Sequence, residues 1–131
     1  MTQTQTLAGL SILLLEDSYF LAEETQRTLE AAGARVLAPC RDLDEMRKAL
    51  QHNHPDCALV DINLGNGPTF EPARTLRAAS VPIILLTGYD VAVIPPDLMD
   101  APCLLKPVDG FRLISTVAST SRRLEAPQGA T

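Results

Sequence analysis

The chain has 131 residues, with 11 basic against 16 acidic side chains and a formal net charge of −5. That length supports one domain with its own core and leaves no room for a second, and the acidic balance argues against a footprint on a nucleic-acid backbone. No apolar run reaches bilayer length and residues 1–8 lack the basic start and long apolar core of a secretory signal, so a soluble, cytoplasmic protein without membrane contact is expected.

Strand-like apolar runs alternate with helix-like ones, the signature of a parallel sheet covered on both faces. Residues 10–15 form the first strand and deliver Glu16 and Asp17 at its end. Leu21, Thr25, Thr28, Leu29 and Ala32 then recur at helical spacing, with Asp17 or Ser18 as the cap and Gly33 as the stop. Residues 34–38 give the second strand. Asp42 with Glu45 resembles a capping box for a helix that buries Leu43, Met46 and Leu50, and Pro55 ends the approach to the third strand, residues 58–60.

Asp61 follows that strand, and Gly65, Gly67 and Pro68 supply turn chemistry for a mobile loop. A third helix spans about residues 70–79, with Pro72 tolerated in its first turn. The fourth strand, residues 81–86, delivers Thr87; Pro95, Pro96 and Pro102 then forbid a long helix and leave one or two turns at about residues 96–99. The fifth strand, residues 103–105, delivers Lys106. The last helix begins near Pro107 and turns Phe111, Ile114, Val117 or Ala118, and Ser121 to one face; residues 125–131 form a frayed tail. Cys40, Cys57 and Cys103 are odd in number and set among apolar residues, as expected of reduced buried thiols, and His52 and His54 read as surface residues without a zinc site.

In an open parallel sheet the ligand crevice lies beyond the carboxyl ends of the strands, so Glu16, Asp17, Asp61, Thr87 and Lys106 converge there. Asp61 ends the most buried-looking strand, where a nucleophilic carboxylate would meet a phosphoryl donor and form an acyl phosphate. Glu16 and Asp17 are placed to hold Mg²⁺ beside it, Lys106 to neutralise an oxygen from the opposite side, and Thr87 to donate its hydroxyl to the attached group. Singly, each residue also reads as a helix cap, a turn residue or a strand-end charge.

In this order, the residues resemble the receiver domain of two-component response regulators, over residues 10 to about 124 of a single domain, 1–131. The resemblance implies a flavodoxin-like α/β fold, a doubly wound five-stranded parallel sheet of order 2-1-3-4-5, here with a shortened or irregular fourth helix. It implies that Asp61 is the phosphoacceptor and that Glu16 and Asp17 are the acidic metal pair. Thr87 would be the switch hydroxyl, Lys106 the lysine before a cis-bonded Pro107, and the Asn63 backbone carbonyl a further Mg²⁺ ligand. The phosphoryl group would come from a sensor histidine kinase or histidine phosphotransferase. With no output domain after Leu124, signalling would act in trans on a downstream protein partner, without enzymatic activity beyond self-phosphorylation and autodephosphorylation.

The stretch Leu85-Leu86-Thr87-Gly88-Tyr89-Asp90, with Ile94-Pro95-Pro96 and Leu105-Lys106-Pro107 after it, is similar to the single-domain receivers nicknamed FAT GUY. It has Leu85-Leu86 in place of their Phe-Ala. Cys103 stands where most receivers carry a Tyr or Phe that swings inward, which leaves Tyr89 as a replacement switch. Two other readings compete: a receiver-like adaptor that is never phosphorylated, and a small aspartyl-phosphate phosphatase of the haloacid dehalogenase type. The latter needs a second Asp two residues past the nucleophile, and Asn63 stands there.

Overall fold

The apolar runs become five strands, β1 (Ser11–Leu15), β2 (Arg35–Val36), β3 (Cys57–Asp61), β4 (Ile83–Thr87) and β5 (Cys103–Leu105), in a computed structural model that describes residues 6–37, 39–65, 67–88 and 93–122. All pair in parallel in the order β2-β1-β3-β4-β5. Helices α1 (Tyr19–Ala31), α2 (Leu43–His52) and α3 (Glu71–Ala78) connect the first four, α4 (Gly110–Arg122) follows β5, and a 3₁₀ turn at Pro96–Leu98 stands where a helix between β4 and β5 would be. This is the doubly wound, flavodoxin-like arrangement expected from the sequence.

Strand side chains alternate between two buried faces, which is why the runs read as continuously apolar. Leu13, Leu15, Ala58, Val60, Ile83 and Leu85 pack with Met46 of α2 and with Ala73 and Leu76 of α3. Ile12, Leu14, Cys57, Leu59, Ile84 and Leu86 pack on the opposite face with Ala22 and Leu29 of α1 and with Leu113 and Val117 of α4. Among the described residues no helix is long and apolar enough to cross a membrane.

The helix starts follow capping chemistry. Ser18, rather than Asp17, caps α1: its hydroxyl accepts the Leu21 N–H at 3.3 Å. Asp42 caps α2 by accepting the Glu45 N–H at 2.9 Å, and Glu45 reaches back to the Arg41 N–H at 2.8 Å. Asp109 accepts the Arg112 N–H at 2.9 Å, so α4 starts at Gly110 and not near Pro107.

That start corrects the expected face of the last helix. Phe111 is 81% exposed, because a first-turn residue at the sheet's rim has no strand beneath it; Leu113, Val117, Thr120 and Ser121 turn inward, with Ile114 and Ala118 half-buried. In α1 the inner stripe is Ala22 and Leu29, continued by Ala32, and Leu21 is exposed. The second strand is shorter than the expected 34–38: its ladder covers Arg35–Val36, Leu37 remains buried, and Ala38 lies outside the described residues, as does the tail 125–131.

The connection from β4 to β5 is anchored twice. Ile94, Leu98 and Ala101 are buried against the α3 side of the sheet. On the surface, the Arg74 guanidinium binds Asp97 through two hydrogen bonds of 2.8 and 2.9 Å. Arg77 donates to the Asp97 carbonyl at 2.9 Å and to Asp100 at 3.0 and 3.2 Å. Paired guanidinium–carboxylate forks fix geometry as well as charge. Removing the fork with Asp97→Asn is expected to speed hydrogen exchange at the Leu98 and Ala101 amides several-fold while leaving the global unfolding midpoint nearly unchanged. High salt should narrow the gap from wild type; equal exchange rates in both proteins would mean that the apolar anchors alone hold the segment.

Candidate functional site

The pleat decides which strand-end residues meet. Glu16 continues the alternation of Ile12 and Leu14, Asp61 that of Cys57 and Leu59, and Lys106 that of Leu104, all on the α1 and α4 side. Glu16 is locked in place because its N–H donates to the Cys40 carbonyl at 2.9 Å, and its Oε2 accepts the Ser18 N–H at 3.2 Å. Glu16 and Asp61 are 2% and 1% exposed, whereas Asp17 is exposed.

Both oxygens of Asp61 are engaged. Oδ1 accepts the Asn63 N–H at 2.9 Å and Oδ2 accepts the Lys106 ammonium at 2.8 Å; Lys106 Nζ also reaches Glu16 Oε1 at 3.4 Å. Glu16, Asp17 and Asp61 each offer a carboxylate oxygen within 4.8 Å of the others. These groups, with Gly65 and Gly88, line an open cavity of about 400 Å³.

Of the residues singled out from the sequence, Glu16, Asp17, Asp61, Asn63 and Lys106 are therefore together. Thr87 ends β4 next to them, fully buried, and its carbonyl accepts the Lys106 N–H at 2.8 Å. It continues the alternation of Ile83 and Leu85 toward the α3 side, so Gly88, one residue on, faces the cavity. The Lys106–Pro107 peptide is cis. Tyr89 lies outside the described residues.

Residues 12–118 match the response regulator receiver domain family. The chain belongs to that family. It is 25% identical over 121 residues to the sensory transduction protein LytT of Bacillus anthracis, a match that covers 89% of this chain and 49% of that protein. The chain thus spans about half the length of its curated relative. Among solved structures, the response regulator PhyR from Brucella abortus superposes with a TM-score of 0.81 at 20% identity, over 98% of this chain and 54% of that one. A response regulator receiver domain protein from Clostridium thermocellum gives 0.78 at 21% identity, over 92% of this chain and 98% of that one. At these identities the structural likeness shows the fold alone.

In this receiver domain the carboxylates are crowded beyond what one ammonium neutralises. Burial, and then the hydrogen bond and charge of Asp61, push the Glu16 carboxyl up to about 7 from its ordinary 4.5. Burial pulls the Lys106 ammonium down, but Asp61 and Glu16 outweigh it and leave Lys106 above the ordinary lysine range. A hard oxygen-ligand cation fits this donor set. Oxygens around Mg²⁺ at about 2.0–2.1 Å are themselves about 3 to 4 Å apart, within the observed spacing.

The thiols lie apart from this chemistry. Cys40 and Cys57 are buried and Cys103 half-buried, none in a disulfide, and burial raises the Cys40 thiol to about 11. His52 and His54 are exposed.

Sequence reading missed the supports around the site. Ser18 both caps α1 and orients Glu16, and Gly65 approaches Asp17 so closely that a Cβ there would meet its Oδ2 at 3.4 Å. The serine was legible as a candidate cap. The glycine's contact joins residues 48 positions apart and has no local signature.

The Glu16 proton gives a pH test. A carboxyl raised in the folded state contributes stability below its unfolded value, and that contribution is lost as pH rises from 4.5 through about 7. In chelator, wild type is expected to lose on the order of 3 kcal/mol relative to Glu16→Gln across that interval, followed by denaturant unfolding at stepped pH. Parallel stability profiles for the two proteins would remove Glu16 as the strained group.

Proposed function

We propose that this receiver domain accepts a phosphoryl group on Asp61 from a histidine kinase or histidine phosphotransferase and signals through protein contacts. The observation that carries the reading is the Asp61 carboxylate, gripped by the Asn63 N–H and the Lys106 ammonium beside two further acidic side chains. An oxygen of Asp61 attacks phosphorus as the phosphorus–nitrogen bond of the donor phosphohistidine breaks. The electron pair leaves with the imidazole nitrogen, and the product is an acyl phosphate.

Such transfers pass through a loose, in-line transition state with charge spread on the equatorial oxygens, so positioned cations matter more than proton transfer. Lys106, already on Asp61 Oδ2, stays with those oxygens as charge develops. Glu16, Asp17 and Asp61, with the Asn63 backbone carbonyl, would hold Mg²⁺, which when bound neutralises the same oxygens. On this reading the Thr87 hydroxyl, which lies toward the α3 side, swings toward the attached group, and the 3₁₀ connection beyond it is the segment through which that movement passes on.

The donor's approach has a matching surface. Tyr19 and Phe20, in the first turn of α1, are 77% and 67% exposed, and Phe111 at the start of α4 is 81% exposed. Leu21 lines both the acidic cavity and the groove of about 560 Å³ between α1 and α4. Apolar residues flanking a reactive mouth suit a helical histidine donor. The finer kinship with the FAT GUY receivers rests on the Pro95-Pro96 connection and the Thr87-Gly88-Tyr89 segment.

A receiver-like adaptor remains the second reading, because Cys103 is half-buried where most receivers carry an aromatic. A phosphatase lacks its proton-transfer group, since Asn63 stands two residues past Asp61. Incubation with phosphoramidate and Mg²⁺ followed by intact mass decides among the three. One alkali-labile phosphoryl group is expected on wild type and none on Asp61→Asn; an unmodified wild type means an adaptor, and turnover without accumulation means a phosphatase.

Asp17→Ala is expected to weaken Mg²⁺ binding at least about tenfold. Its fold should stay intact, since the change lowers the crowding of negative charge. An unchanged Mg²⁺ titration with Asp17→Ala would take that residue out of the metal set.

A further inference from the structure

Asn63 carries a role separate from its backbone. Its side-chain Oδ1 turns back along the β3–α3 loop and accepts the Gly65 N–H at 2.9 Å and the Gly67 N–H at 3.3 Å. Its own N–H holds Asp61 Oδ1 at 2.9 Å. An Asn side chain that bonds main chain two residues on is a standard way to build a turn without a helix or sheet. Here both donating glycines sit at positive φ, 108° and 90°, conformations that the side-chain acceptor helps to hold.

The loop is closed further along by pairing of Asn63 with Pro68 and by the Thr69 N–H on the Ile62 carbonyl at 2.6 Å. Its tip lies against the acidic site: a Cβ on Gly65 would stand 3.4 Å from Asp17 Oδ2. Asn63 therefore touches Asp61 through its main chain and faces Asp17 through Gly65. Asp17 is the exposed carboxylate of the three, and Gly65 lines the same cavity beside it.

We infer that the Asn63 carboxamide is a positioning group: by tying Gly65 and Gly67 it sets the loop against Asp17 and so sets the affinity of the acidic site for a divalent cation. The inference rests on the receiver reading of the site and adds a side chain whose oxygen acts on the loop, not on the phosphoryl group. What matters is an acceptor at the γ position. Asp supplies that acceptor, and Ala does not.

The test compares Asn63→Ala with Asn63→Asp in the full chain, using Mg²⁺ alone as the probe. Amide hydrogen exchange at Gly65 and Gly67 is read first in chelator, then Mg²⁺ affinity by titration of backbone chemical shifts, with the unfolding midpoint as a control. Asn63→Ala is expected to lose protection at both glycines and to bind Mg²⁺ about ten- to a hundredfold more weakly, the usual loss when a support behind a metal ligand is removed. Asn63→Asp should keep the protection and bind at least as tightly as wild type, and both variants should melt close to it.

A merely structural asparagine would lower the unfolding midpoint and leave no Mg²⁺ contrast between the two variants. Wild-type affinity in Asn63→Ala, or equal weakening in Asn63→Asp, overturns the positioning role while leaving the receiver reading intact. Failure of wild type itself to bind Mg²⁺ removes that reading and this inference with it.

Discussion

One ammonium set against three carboxylates governs this molecule. Lys106 lies 2.8 Å from Asp61 and 3.4 Å from Glu16, and the two acids are nearly inaccessible to water. Unit charges about 4 Å apart near a protein surface interact by about 4 kcal/mol. Lys106 can offset one such repulsion but not all of them. Burial first, and then the hydrogen bond and charge of Asp61, raise the Glu16 carboxyl to about 7, so keeping a proton there relieves part of the remainder. A divalent cation relieves it without the proton, and a transferred phosphoryl group, bringing roughly −1.5 to −2 charges, presses the same balance from the other side.

The scaffold makes that crowding tolerable by fixing the residues that suffer it most. β1 and β3 lie inside the sheet with neighbours on both sides, so the main chain that presents Glu16 and Asp61 is held by two ladders. Asp17 has no such support from a ladder, and it is also the carboxylate that water reaches. Two buried acids with one exposed partner thus share a site whose solvent side is Asp17. The small Gly65 and Gly88 at the mouth keep the opening clear.

The sheet was legible because its strands are buried on both faces and each ends on a charged or hydroxyl side chain. The site was legible for the same reason: strand ends need no knowledge of the loops between them. Helix faces were less so. The expected stripe through Phe111 assumed a start near Pro107, whereas Asp109 places the first turn at Gly110, and Phe111 then stands on the rim. Long-range polar contacts were not legible at all. Arg74 and Arg77 sit on an ordinary-looking helix, and their partners Asp97 and Asp100 come 23 residues later in a proline-rich stretch, with nothing in local periodicity to join them.

Those contacts bear on how a charge change at the rim travels. Thr87 leaves the sheet toward the α3 side, and further along, the described residues 93–101 are held by two unlike kinds of contact. Ile94 and Leu98 are buried apolar anchors, costly to withdraw because each would expose its side chain to water. The guanidinium forks at Asp97 and Asp100 are exposed, where ion pairs gain little over solvated charges and yield to salt. A displacement of this segment therefore meets least resistance if the 3₁₀ turn pivots about its apolar anchors and trades its arginine contacts for water. The chain's short, proline-bounded turn suits such a pivot better than a full helix, which would have to shift as a rigid rod.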